Sequence, residues 1–347
     1  MSSPLSVLQS AYTSCDALTH QSDACSKEAL GIICFTSESI SIGALGLAEL
    51  PLMQVNMPVL SGNDVACEAW LSNALLKPGS REELRYRYSD SLLFGVVEIT
   101  EASFSASASG TPLQQATETA YKQILTLLSD LDYPFIYRFW NYLADINGDS
   151  HGLERYRQFN SGRQDAFLAS GRDVGGGLPA ACALGVDQGP LKIAFLAGRV
   201  KATAIENPRQ VSAYQYPLEY GPRSPTFSRA NLLSLPQQEI LFLSGTASIV
   251  GHETVHEGDV VAQTREAMAN LQALVTEANN SSIKKFELTD VFYRIYVRHA
   301  EDLLAIQSEM SSIVGPAFKA VFLRADICRQ DLLLEIEATL DHPFELL

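Results

Sequence analysis

Two glutamates near the C-terminus, Glu335 and Glu337, alternate with leucine and isoleucine in the stretch DLLLEIEATL. In an extended strand that spacing sends both carboxyls to one face and the apolar residues to the other. A carboxyl enclosed by apolar walls is expensive to ionise, so its pKa climbs towards the range where it donates a proton near neutral pH. The same pair on an open sheet face is two solvated anions, and the strand pattern alone fits either. A second stretch, HETVH at 252–256, has the letters of a zinc-protease motif. There, two histidines one helical turn apart hold the metal and the intervening glutamate acts as base. That chemistry requires one continuous helix through both histidines. Upstream, ILFLSGTASIVG is β-branched and carries Gly245 and Gly251, which suits a strand running into a loop. Helical periodicity begins only after Gly258, with Asp259 as cap and Val261, Met268, Leu271, Leu274, Val275 and Ala278 recurring at three- and four-residue steps. HETVH is therefore expected to be a surface loop with no metal.

Other residues are chemically versatile but not diagnostic by themselves. Tyr214 and Tyr216 lie two apart and share a face if extended; on spacing alone they are core or interface aromatics. Tyr156 precedes Arg163 by two helical turns, on the same side. Arg163 is as well suited to a surface ion pair as to a ligand clamp. Cys328, a lone cysteine in an apolar stretch, reads as packing.

The elements that must position these residues emerge when the chain is compared with itself. LFGVVEIT at 93–100, QQATETAYKQILTLLSDL at 114–131 and FIYRFWNYLADIN at 135–147 are echoed by ILFLSGTAS, VVAQTREAMANLQALVTEA and DVFYRIYVRHAED. Thr117 and Ala120 match Thr264 and Ala267, and Tyr137-Arg138 matches Tyr293-Arg294. Each copy continues with an amphipathic helix and two apolar strands: PAACALGV and LKIAFLAG in the first, FKAVFLRADIC and DLLLEIEATL in the second. Both halves thus read as a sheet with two helices on one face, an α+β architecture. A proline- and aromatic-rich link, 207–238, joins them, and the boundary is placed near 205, giving domains 1–205 and 206–347. Residues 37–85 yield only irregular strands and loops of the first domain.

Composition narrows the partners. The 347 residues carry 25 basic and 40 acidic side chains, a formal charge of -15, which disfavours nucleic acid or anionic membrane as a general partner. No apolar run approaches a membrane span, and the N-terminus lacks the basic start and apolar stretch of a secretory signal. The six cysteines, Cys15, Cys25, Cys34, Cys67, Cys182 and Cys328, lack paired spacing, so reduced thiols in a cytoplasmic protein are expected. GRDVGGGLPA at 171–180 is glycine-rich but lacks the strand-and-helix setting of a nucleotide-binding turn, and no cofactor fingerprint is found.

Several blocks carry a resemblance. SGTAS, the helix QTREAMANL (Gln263, Thr264, Arg265, Asn270, Leu271) and the closing EIEA strand look like the reactive-intermediate deaminase (RidA/YjgF) superfamily. Over nearly the whole chain, YRQFNSGRQDAF, SAYQYPLEYGPRSPTFSRA, SGTAS and RADICRQDLLLEIE resemble, in order, the chorismatases, in which two RidA-like halves are fused. That resemblance implies conversion of chorismate to pyruvate and either a dihydroxycyclohexadiene carboxylate or a hydroxybenzoate, without a cofactor. It points to Arg163 and Arg223, with Arg324 as a third candidate, as clamps for the two substrate carboxylates, and to Tyr156, Tyr214 and Tyr216 as pocket walls. It assigns Glu335 as the acid/base, with Glu337 in a supporting or structural role. Cys328 matches the hydroxybenzoate-forming members, so 3-hydroxybenzoate is the expected product, with 4-hydroxybenzoate beside it, and Ala247 is expected to shape the ring pocket. Fusion of the halves suggests a monomer. The competing expectations are a RidA-type imine or enamine hydrolase and a ligand-binding protein without turnover.

Overall fold

A computed structural model describes residues 8–13, 27–37, 49–62, 64–108, 110–289 and 291–343. Two six-stranded sheets form its frame. The first contains β5 (Lys77–Arg81), β6 (Leu84–Tyr88), β7 (Leu92–Ile99), β8 (Phe135–Ala144), β9 (Ala180–Val186) and β10 (Leu191–Gly198), in the order β9-β8-β10-β7-β6-β5. The second contains β11 (Thr203–Ile205), β12 (Ala230–Leu235), β13 (Gln238–Thr246), β14 (Phe292–Val297), β15 (Lys319–Arg324) and β16 (Leu334–Pro343), in the order β11-β12-β13-β16-β14-β15. Each holds one parallel pair, β8 with β9 and β14 with β15, bridged by a helix as a parallel crossover requires.

Helices α1 (Pro112–Asp130) and α2 (Arg155–Ala169) cover the first sheet, and α3 (Val260–Ala278) and α4 (Leu303–Val314) the second. The side chain of Thr111 accepts a bond from the Gln114 amide at the start of α1, and Asp259 does the same for Ala262 at the start of α3, each satisfying an otherwise unpaired donor. On β16, Leu334, Ile336, Ala338 and Leu340 pack beneath α3 and α4 with Leu271 and Ile306. The period of two then obliges Glu335 and Glu337 to point the other way, between the sheets. That space is filled mainly by Phe94, Trp140, Tyr142, Leu196, Phe242, Tyr296 and Leu323.

A smaller sheet closes one side. Its strands are β1 (Gln9–Thr13), β2 (Ala29–Thr36), β3 (Leu52–Asn56) and β4 (Val65–Leu71), in the order β1-β4-β2-β3. One face of it sends Ile33, Phe35, Met53 and Trp70 into the space between the large sheets. On its other face Cys34 and Cys67 lie directly opposite each other, with Cα atoms 4.1 Å apart, and form a disulfide. This corrects the expectation of six reduced thiols: the pair is 33 residues apart in sequence and becomes adjacent only through strand pairing. Cys182 and Cys328 are free, whereas Cys15 and Cys25 lie outside the described residues. No described helix is long and apolar enough to cross a membrane.

Candidate active site

A cavity of ≈ 890 Å³ opens between the two large sheets, a size suited to a small organic molecule. Its walls come from α2, β9, β13, the segment 216–229 and the loop before β16. Glu335 reaches into it from β16 and is only 4% exposed. Its Oε1 makes no hydrogen bond. Burial pushes the carboxyl up to about 8, the negative charge of Glu337 adds to the rise, and Arg138 and Arg229 oppose it. The group is therefore a neutral carboxylic acid at pH 7, able to donate. Gly245 on β13 is what admits it, because a Cβ built there would stand 1.8 Å from Glu335 Oε1.

Glu337 is off the cavity wall and serves a different purpose. It accepts hydrogen bonds from Arg138, from Arg294 and, at 3.0 Å, from the Tyr296 hydroxyl. Burial works to raise this carboxyl, but the guanidiniums of Arg294 and Arg138 hold it below the usual carboxylate range. Two glutamates two residues apart thus sit in opposite protonation states.

Two buried arginines face the cavity without an ion-pair partner among the described residues. Arg163, on α2, is 1% exposed; its Nη2 donates to Asn160 Oδ1 at 2.8 Å and its plane lies over Phe159 and Phe227. Arg229, just before β12, donates to the Val211 carbonyl and the Tyr216 hydroxyl, both at 2.8 Å. The Nε of each is buried and unbonded. A guanidinium kept from water with donors to spare is built to meet an anion, a carboxylate above all.

Of the residues expected from sequence, Glu335, Cys328, Tyr156, Arg163, Tyr216 and Ala247 line this cavity. Tyr156 stacks near Phe159, and burial raises its phenol well above the ordinary range. Burial, then the neighbouring Glu335, pushes the Cys328 thiol up to about 12, so it stays protonated. The other four stand elsewhere. Tyr214 packs against the helix-covered core of the first half. Arg223 pairs with Asp165 at 3.0 Å with its side chain 46% exposed, and Arg324 pairs with Asp187 at the surface. Glu337 is behind the wall, as described.

Sequence reasoning missed Arg229, Arg329, Tyr220, Phe227, Cys182 and Gly245, all on the wall. Arg329 lies over the rings of Tyr216 and Tyr220, 5.4 and 4.3 Å from their centroids, tying the loop before β16 to the segment after the one-turn helix Ala213–Gln215. The position of Arg229, immediately before the buried run ANLLSL, was the one sequence signal available. HETVH forms a turn around the short strand Glu253–Thr254. His256 has φ 63°, so His252 and His256 share no helical face. His252 instead approaches the Tyr220 hydroxyl at 3.2 Å.

Comparison with known proteins gives a consistent set of likenesses. Residues 68–197 match the family described as "Chorismatase FkbO/Hyg5-like, N-terminal". The chain is 34% identical over 299 residues to a 3-hydroxybenzoate synthase of Streptomyces hygroscopicus, covering 83% of this chain and 84% of that protein. It is 36% identical over 278 residues to a chorismatase of Streptomyces rapamycinicus, covering 78% and 80%. A crystal structure of a chorismatase matches its fold with a TM-score of 0.84 at 30% identity, over 98% of this chain and 100% of that one.

Proposed function

The chain belongs to the chorismatase family, and we propose that it converts chorismate to pyruvate and 3-hydroxybenzoate, with Glu335 as the proton donor. The observation that carries this reading is a buried carboxyl, its Oε1 unbonded, raised to about 8 in the same cavity as two arginines that have no ion-pair partner among the described residues. Chorismate has two carboxylates and an enol ether, so it needs fixed cations and one proton placed on carbon. Arg163 and Arg229 supply the first, and Glu335 the second.

The proton of Glu335 adds to the enolpyruvyl methylene and leaves a cationic carbon bonded to oxygen. The neighbouring ionised Glu337 and the carboxylate formed on Glu335 stabilise that charge in a low-dielectric site. The bond between ring carbon and ether oxygen then breaks. Its electron pair stays on the oxygen, which becomes the keto oxygen of pyruvate. The adjacent ring hydroxyl oxygen closes on the vacated carbon and gives its proton to the Glu335 carboxylate, resetting the acid. The resulting arene oxide opens as one of its carbon–oxygen bonds breaks; the oxygen takes up a proton and a ring carbon loses one, so the ring becomes aromatic and the hydroxybenzoate forms with no net change in protons. The atoms of chorismate equal those of the two products, so no water is consumed.

Cys328 and Ala247 line the same pocket as Glu335, and Cys328 lies near that carboxyl. In this reading their low polarity keeps water from the cation and selects internal capture, with 4-hydroxybenzoate as a minor product. Both walls come from one chain, so a monomer is complete as a catalyst; light scattering after size-exclusion chromatography checks it. Incubation with chorismate, followed by chromatography and a coupled assay for pyruvate, tests the reaction. Equimolar pyruvate and 3-hydroxybenzoate are expected. A dihydroxycyclohexadiene carboxylate would replace internal capture by hydrolysis, and absence of pyruvate would remove the enzyme reading.

A further inference from the structure

The small N-terminal sheet, whose strands lie outside the helix-covered cores of the two halves, inserts one charged side chain between them. Glu68 on β4 is 3% exposed and faces inwards beside Trp70, whose indole N–H donates to it at 3.3 Å. Its carboxylate pairs with Arg294 on β14. Arg294 uses its other terminal nitrogen for Glu337, and Glu337 in turn holds Arg138 on β8. The result is an alternating line, Glu68, Arg294, Glu337, Arg138, that crosses all three sheets with every member buried. Its formal charge is zero. Tyr12 and Phe35 of the same small sheet cover the Arg294 guanidinium at 5.6 and 4.7 Å.

Resting on the chorismate reading above, we propose that Glu68 is a positioning residue for the reaction: by occupying one side of Arg294 it keeps Glu337 shared between two arginines and sets the charge that the proton donor faces. Without Glu68 the line carries one uncompensated cation. Arg294 then turns wholly to Glu337, and the negative charge felt at Glu335 shrinks. The groups that face Glu335 include Glu337 on its own strand, Tyr296 directly across on β14, Arg138 on β8, Cys182 on β9, Arg229 before β12, Cys328 in the preceding loop and Tyr156 on α2. Glu337 is the charged one of these that opposes ionisation most strongly, and Glu68 acts through it.

The test is Glu68→Gln, which keeps shape and removes charge, with Glu68→Asp as the variant that restores the charge. Two readouts are taken: infrared titration of the Glu335 carboxyl, as a difference spectrum against the same protein carrying Glu335→Gln, and the pH profile of kcat/KM for pyruvate release. In Glu68→Gln both move to lower pH by about half a unit or more, the scale of one charge acting at roughly 10 Å in a protein interior. Glu68→Asp recovers most of the shift. A merely structural role would lower the melting temperature and leave both titrations where they were, and that result would overturn the proposal. Should Glu68→Gln not fold, Arg294→Lys decides, because one ammonium cannot serve both carboxylates in a fork: a displaced Glu335 titration supports the link and an unmoved one overturns it. The infrared readout needs no turnover, so failure of the chorismate reading shows separately, as a wild-type protein that titrates but releases no pyruvate.

Discussion

The two halves repeat one another strand for strand, yet only one bears acids. In the first sheet Arg138 pairs with Leu196 and Trp140 with Ala194 across β8 and β10. In the second, Arg294 pairs with Glu337 and Tyr296 with Glu335 across β14 and β16. Leu196 and Ala194 therefore occupy the positions of Glu337 and Glu335. Both halves retain the arginine, and both arginines converge on the one Glu337. A duplicated frame has thus given one asymmetric site: one copy supplies the raised carboxyl of Glu335 and its ionised neighbour Glu337, the other supplies Arg138 and the wall carrying Arg163. Buried charge explains why the asymmetry holds, since a second acid pair between the sheets would need a second set of cations to balance it.

The largest expected effect tests the acid-bearing half. Glu335→Gln removes the proton but keeps the shape, and pyruvate release should fall by about 10²–10⁴-fold, the usual contribution of a positioned acid. A coupled dehydrogenase assay measures it. Gly245→Ala comes next. Its methyl group occupies the place of Glu335 Oε1, and displacing the carboxyl by ~1 Å should cost about 10²-fold in kcat. Steady-state kinetics with a circular-dichroism check of folding separates this from unfolding.

The arginines sharpen the comparison through stability. Arg294 neutralises two buried carboxylates and Arg138 one. Arg294→Met should cost about 3–5 kcal/mol in urea denaturation, as expected when a buried charge is left unpaired, and Arg138→Met less. A larger loss for Arg138 would contradict the shared-Glu337 arrangement.

A subtler effect follows from pH. The folded-state pKa of Glu335 is raised, to about 8, above an unfolded value of about 4.3. Between those values the native state holds a proton that the unfolded chain has lost, so this residue's contribution to stability declines as pH rises through that window. Glu335→Gln should therefore gain on the wild type from about pH 4.3 upwards, with the difference levelling off above about 8. Glu337, held low, works in the opposite sense: its contribution is present above the unfolded carboxyl range and is lost as pH falls through its own lower value. Melts from acid to alkaline pH follow both. The smallest effect is expected at Arg324, whose exposed pair with Asp187 should be worth no more than about 0.5 kcal/mol, with Arg324→Ala turning over as the wild type does.

Periodicity made the repeated frame legible. The helices of both halves and the strands around FIYRFWNYLA and LLLEIEATL have one buried face each, and their spacing declares it. The small sheet was not legible. Its strands are separated by long connections and pair out of sequence order. The Cys34–Cys67 bridge was invisible for the same reason. At the site, the alternation of Glu335 and Glu337 gave their shared face, but their opposite protonation depends on Arg138 and Arg294, which only the packed sheets bring together. Arg223 and Arg324 had the right chemistry in the right blocks, yet Asp165 and Asp187 lie close enough to claim them.

The central claim is that Glu335 holds its proton at neutral pH and spends it on the substrate. The most direct measurement follows the carboxyl stretch of Glu335, as the infrared difference between wild type and Glu335→Gln, alongside kcat/KM for pyruvate release from chorismate, which reports the free enzyme's ionisations. The account predicts a protonated band at pH 6 that disappears around pH 8, in step with the loss of activity on the alkaline side. A Glu335 already ionised at pH 6 in a protein that still releases pyruvate at full rate would contradict it.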